Sequence, residues 1–179
     1  VSEKGYRAVT IADLVRRAGI ARNTFYDNFS SKDDCFLAAQ QHAVSAVLER
    51  MIGAAGAFES WPERIRAGLT AFLEYVLEEP ALARICIVEV FAAGPASVRY
   101  HQESQQTFIS LLRVGRDVSP ERAELPETLE EAVVGGIFWV VYQRLTVATP
   151  EAVAELLPEL IEFALTPYLG AARAREMAA

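Results

Sequence analysis

Residues 10–29 read TIADLVRRAGIARNTFYDNF, and the order of residue types in this stretch decides the fold. Thr10 followed three residues later by Asp13 is a T-x-x-D variant of the capping box, in which each residue satisfies an amide left without a partner at a helix start. A short helix begins there and is expected to bury Ile11, Leu14 and Val15. Gly19 ends it, where the backbone needs a positive φ. A second short helix runs from about Arg22 to Phe29, with Phe25 and Phe29 on one face. Two short helices about a glycine turn are the arrangement by which a helix-turn-helix sets its second helix into a major groove.

Downstream, Ser31-Lys32-Asp33-Asp34 is another capping signature. It starts a long helix whose Phe36, Leu37, Val44, Val47, Leu48 and Met51 keep a one-sided apolar stripe, closed by Gly53 and Gly56. Ser60-Trp61-Pro62-Glu63 opens the next helix, which Pro80 ends or restarts, and Gly94-Pro95 divides the two that follow. The helix before that division runs through Leu82, Ile85, Val88 and Phe91. The one after it ends in a polar loop from Asp117 to Pro126, the stretch expected to be most flexible. Leu129 to Val147 then reads as a helix that is apolar nearly all round. Thr149-Pro150-Glu151 caps a last one, which Pro158 should kink or split. Alternating β-branched runs bounded by hairpin turns are missing, so the chain reads as all-α: a small head, about residues 1–30, on a helical-bundle body, residues 31–179.

Charge divides the chain at the same place. The 179 residues carry a net charge of −7, but residues 1–32 alone carry +3 and the remaining 147 carry −10. A cationic head suits phosphate, and an acidic body does not. With 52% hydrophobic and 23% charged residues the chain can bury a core, which excludes a disordered tail. The longest nearly uncharged run, Ala132–Tyr142, spans 11 residues. Crossing a bilayer takes roughly 18 or more, so no membrane span is expected. Cys35 and Cys86 sit in apolar helical contexts without metal-ligand spacing, pointing to a reducing, cytoplasmic compartment. No catalytic residue, metal site or cofactor is expected, because the nucleophile, metal and phosphate-loop motifs are all missing.

Taken together, Gly5-Tyr6, Thr10-Ile11-Ala12-Asp13-Leu14, Ala18-Gly19-Ile20, Thr24-Phe25-Tyr26, Phe29 and Ser31-Lys32 resemble the TetR family of bacterial transcriptional regulators. The resemblance covers about residues 5–37, and the body matches only in its pattern of helices. It implies a DNA-binding head on a ligand-binding body, with the last two long helices paired across a homodimer. It further implies a repressor, bound to a palindromic double-stranded DNA operator and released by a small, largely apolar effector. Under it Thr10 meets a backbone phosphate through its own amide and hydroxyl. Arg22, Asn23 and Thr24 reach base edges from the first turn of the recognition helix. Tyr26, Asn28 and Lys32 would position the head on phosphates.

Three departures stand against the family pattern. Ala21 replaces the usual serine or threonine cap, and Asp27 puts an anion near the phosphates. The chain also opens at Val1-Ser2-Glu3-Lys4, where the family would be finishing its first helix, so that helix is expected to be missing, leaving Val9, Ile11 and Phe25 short of cover. Asp27 and the acidic net charge keep a second reading open, an all-helical interaction module that has lost DNA binding.

In the body, Phe72, Tyr75, Tyr100, Phe108, Trp139 and Tyr142 either line an apolar ligand cavity or are ordinary core. Glu89, inside the apolar run Ile85–Phe91, needs a partner: an arginine such as Arg99 or Arg113, or a ligand. His42 and His101 read as solvated side chains. Gly135-Gly136 suggests a close helix approach, of use in dimer pairing.

Overall fold

A computed structural model describes residues 4–118, 125–147 and 151–179. Among these, every regular element is helical. The order is α1 (Ile11–Ala18), α2 (Arg22–Asn28), α3 (Lys32–Ala55), α4 (Trp61–Glu78), α5 (Pro80–Arg84), α6 (Pro95–Arg113), α7 (Leu129–Val147), α8 (Glu151–Ala154), α9 (Leu157–Leu169) and α10 (Ala171–Ala178). The Thr149-Pro150 cap and most of the polar loop, residues 119–124, lie outside the described residues.

The two capping signatures form as the sequence implies. Thr10 Oγ1 accepts from the Asp13 amide at 3.2 Å while Asp13 Oδ2 accepts from the Thr10 amide at 3.1 Å. Hydrogen bonds from Thr10, with Lys4 and Arg16 nearby, hold the Asp13 carboxyl down at about 2. The box therefore persists at neutral pH and weakens only as pH falls from the ordinary carboxylate range toward that value. Gly19 then takes φ 67° and ψ 27°, a left-handed conformation that a side chain disfavours, and turns the chain into α2. At the start of α3, Ser31 Oγ accepts from the Asp34 amide at 3.1 Å.

Four expectations about packing change. Ile11, Leu14 and Val15 are half-buried, so α1 is covered less than its periodicity implies. Val9 and Phe25, expected to lack cover, are buried within the chain as it stands. The single helix expected through Leu82–Phe91 is instead α5, a π-helical turn (Ile85–Glu89) and a 3₁₀ turn (Val90–Ala92). Finally, Pro158 does split the last helix, but a further helix, α10, follows beyond Gly170.

In the body, α3 lies along α4, α4 along α9, and α6 along α7. They enclose one core whose members include Leu73, Val76, Val134, Val141, Leu160 and Leu165; each such side chain contributes about 1.5–3 kcal/mol by leaving water. Gly136 is the close approach inferred from sequence. A Cβ there would stand 3.0 Å from the Phe163 ring, so within one chain the glycine lets α7 lie against α9. Gly115 is tighter still, since its Cβ would run into the Trp61 ring. Trp61 is held there by donating to Leu111 O at 3.1 Å and by an edge-on contact with Tyr168.

A buried charge sits at the base of this core. Glu130 is fully buried; Arg116 grips it through Nε at 2.7 Å and Nη2 at 2.9 Å, and Tyr168 donates to it at 2.8 Å. Burial pushes the carboxyl up, but the hydrogen bonds from Arg116 and Tyr168 outweigh it and leave the group below its usual range. Arg116 also donates to Leu125 O and Pro126 O, tying the approach to α7 to the end of α6.

Removing one partner of a buried pair strands the other charge. Arg116→Ala should cost about 3–5 kcal/mol in chemical denaturation, and Arg116→Ala with Glu130→Leu should recover much of that loss. Gly115→Ala should lower stability as well, since its Cβ would meet two buried rings, Trp61 and Tyr168.

Candidate nucleic-acid interface and interior chambers

Helix α2 divides cleanly into two sides. Phe25 is buried and Phe29 half-buried, their rings 5.5 Å apart, whereas Arg22, Asn23, Thr24 and Tyr26 are exposed. Arg22 lies along Tyr26, its Nη2 3.3 Å from the phenolic oxygen and its guanidinium 5.6 Å from the ring centre. The aromatic face fixes the helix to the head, leaving the polar face open to solvent. Ala21 caps α2 with no side-chain hydrogen bond, as its replacement of serine or threonine implies.

Other residues singled out for phosphate contact have internal partners. Both donors of Thr10, amide and hydroxyl, go to Asp13 Oδ2, so a phosphate there would compete with Asp13. Asn28 donates to Thr24 O at 2.8 Å within its own helix. Lys32 donates to Tyr6 O at 3.0 Å and to Val9 O at 2.9 Å, and its ammonium lies 4.1 Å over the Tyr6 ring. Lys32 thus braces the chain ahead of α1.

Tyr6 entered the sequence reading only as part of the head's motif, with no role assigned to it. It is buried, packs edge-on to Phe36 at 4.9 Å, and its hydroxyl donates to Asp33. Its amide donates to Glu89 Oε2 at 2.8 Å. This corrects the account of Glu89, which is half-buried and pairs with neither Arg99 nor Arg113; Arg113 instead lies 3.9 Å from Glu130. The contact joins residues 83 apart in sequence, and no local pattern announces it.

The body holds two small apolar chambers that share Phe72, Phe108 and Phe138. One, of about 60 Å³, lies among α4, α6, α7 and α9. The other, of about 30 Å³, is walled by α3, α4, α6, α7 and the π turn, and takes in Tyr75, Cys86, Ile87, His101 and Ser104. Trp139 and Tyr142 line a separate cleft with Phe91 and His101. Of the expected ligand contacts, Phe72 and Phe108 therefore meet both chambers, Tyr75 one, and Trp139 and Tyr142 the cleft. Tyr100 and Glu89 line none of these three.

His101 is not the solvated side chain expected. It is buried between Phe91 and Phe138, with Gln105 at 3.1 Å, and burial lowers its pKa. The Tyr75 hydroxyl is buried with no hydrogen-bond partner. Among the described residues no cluster of histidine, cysteine and carboxylate side chains could hold a metal ion, and no helix is long and apolar enough to cross a membrane.

Residues 1–39 match the family model described as bacterial regulatory proteins, tetR family. Among curated proteins, the chain is 27% identical over 113 residues to the uncharacterized HTH-type transcriptional regulator YezE of Bacillus subtilis, covering 58% of this chain and 56% of that one. It is 28% identical over 93 residues to the HTH-type transcriptional activator FasR of Mycolicibacterium smegmatis, covering 52% of this chain and 42% of that one. The chain thus spans about half the length of the curated relatives it matches. In fold it is similar to the fatty acid degradation regulator FadR from Bacillus halodurans, with TM-score 0.76, 15% identity and coverage of 94% and 92%. It is also similar to a TetR-family transcriptional regulator from Bordetella parapertussis, with TM-score 0.72, 17% identity and coverage of 96% and 90%. The resemblance to the TetR family therefore holds, in sequence at the head and in fold across the body. These relatives are regulators by name.

Because His101 is held below its ordinary value of 6.5, the unfolded chain binds that proton more readily than the folded one. Stability should fall as pH drops through about 6.5, and His101→Phe should flatten that part of a melting-temperature profile.

Proposed function

We propose that the chain is a DNA-binding transcriptional regulator that works as a homodimer, a repressor released from a palindromic operator by a small, largely apolar effector. The observation that carries this reading is the outward set Arg22, Asn23, Thr24 and Tyr26 on a helix fixed from behind by Phe25 and braced by a capped α1. Arginine pairs bidentately with guanine, asparagine with adenine, and threonine meets a thymine methyl, so the first turn of α2 supplies base readout. Tyr26 offers a hydroxyl to a phosphate.

Pairing of two copies follows from α7 and α9. Trp139 is 59% exposed and Phe163 47% exposed, large apolar side chains that a second copy would cover. Paired heads would meet half-sites about 34 Å apart or a multiple of it. The mainly apolar lining of the two chambers suits an apolar effector, which at about 60 and 30 Å³ they would have to widen to admit. If the effector favours a head separation that the operator does not, effector and DNA affinities oppose one another.

The test is selection of duplex DNA from a random library, followed by gel shifts over a range of salt. Binding should weaken steeply as salt rises. Arg22→Ala and Asn23→Ala should each change the preferred bases, at about 1–3 kcal/mol per lost bidentate pair, whereas Tyr26→Phe should weaken all sequences alike. No selected sequence, or binding indifferent to salt, would count against DNA recognition and favour the interaction-module reading.

A further inference from the structure

Four aspartates lie in the head and at the start of α3, and three of them are taken up by neighbours. Asp13 accepts from the amide and hydroxyl of Thr10, with Arg16 beside it. Asp33 accepts from the Tyr6 hydroxyl, and Asp34 accepts from the Ser30 amide at 2.8 Å and the Ser30 hydroxyl at 3.1 Å. Asp27 is different. It is exposed, and no hydrogen bond or ion pair ties it to any described residue.

Its place on α2 is central to the open face. Asp27 is two residues from Phe25 and two from Phe29, the side chains that hold α2 to the head, and so stands about 160° round the helix from each. Asn23 lies one turn before it on the same outward stripe. At seven residues α2 is about 10 Å long, so a groove that takes its first turn takes its second as well. The side chain that leads into that groove is therefore a carboxylate.

A carboxylate only accepts hydrogen bonds. In the major groove guanine presents N7 and O6 and thymine presents O4, all acceptors, while adenine sets its amino group beside the acceptor N7. Cytosine is the base whose groove edge offers an amino group, N4, with no acceptor next to it. Phosphates repel the same charge.

We propose that Asp27 is a specificity-determining residue that accepts from the N4 amino group of one cytosine in each half-site. It penalises guanine and thymine at that place, and it weakens binding to any duplex that offers no such donor. The inference rests on the reading of the chain as a DNA-binding regulator, and it turns the anion that stands against DNA binding into a means of choosing the DNA.

The test is selection of duplexes from a random library by the full parent chain, by Asp27→Ala and by Asp27→Asn. Gel shifts then compare the parent's selected site, its three single-base variants at the responsive position, and an unrelated duplex. Asp27 has no partner to strand, so both variants should melt with the parent. The parent should hold one C·G pair in each half-site that Asp27→Ala relaxes, while the bases that respond to Arg22→Ala and Asn23→Ala stay as they were. Changing that cytosine to guanine or thymine should weaken the parent about fivefold or more, as one wrong base pair does, and should cost Asp27→Ala little. The unrelated duplex should bind Asp27→Ala more tightly than the parent. Asp27→Asn should move the preference to adenine, which satisfies both the donor and the acceptor of an amide.

Uniform tightening of every duplex by Asp27→Ala, with the parent's base preferences intact, overturns the proposal and leaves Asp27 as a charge near phosphates. A relaxed position that held a base other than cytosine overturns the assigned base. A parent that selects no DNA while Asp27→Ala does also overturns it, because the carboxylate then bars DNA outright. If neither selects DNA, the regulator reading fails and takes the proposal with it.

Discussion

A head of about thirty residues cannot bury enough surface to hold itself, so its position depends on how it is seated, and the seat is Tyr6. The ring is buried against Phe36, the hydroxyl is taken by Asp33, the carbonyl accepts from Lys32 and the amide donates to Glu89. These partners come from the first turns of α3 and from the π turn, so one side chain and its peptide groups join three parts of the chain. Each hydrogen bond is modest in isolation, but every one of them involves an ionised group in a half-buried place, where such bonds run about twice as strong as neutral ones.

The seat also settles how charge is used. The cations of the opening stretch do not all face outward as a phosphate-binding surface. Lys32 is drawn inward to two carbonyls, and Lys4 and Arg16 lie beside Asp13. The outward chemistry is carried instead by the polar half of α2, where Arg22 leans on Tyr26. Positive charge in the head thus serves first to build it and only then to present it.

How far the sequence was readable follows the range of the interactions. The caps at Thr10 and Ser31, the left-handed Gly19, the bounds of α7 and the break at Pro158 depend on residues within four positions of one another, and local pattern showed them. The inward face of α2 was legible for the same reason: Phe25 and Phe29 are one turn apart. The hidden contacts were long-range. Glu89 was recognised as a carboxylate in need of a partner, but the partner is an amide 83 residues away. Glu130, the carboxylate that is fully buried, sits among the first-turn acids of α7 and looks in sequence like a solvated helix start. His101 follows a polar helix opening, and its burial comes from Phe91 and Phe138, which approach from other elements.

The two tryptophans occupy opposite environments. Trp61 is sealed against Tyr168 and donates its indole proton inside the core, while Trp139 stands 59% exposed, stacked on Tyr142 at the mouth of the outer cleft. An aqueous quencher therefore reaches one indole and spares the other, so the emission of the unlabelled protein divides into a blue component from the interior and a red component from the α7 surface. Whatever covers that surface in solution will dim the response to iodide without touching the blue component, giving an optical account of assembly that needs no added dye.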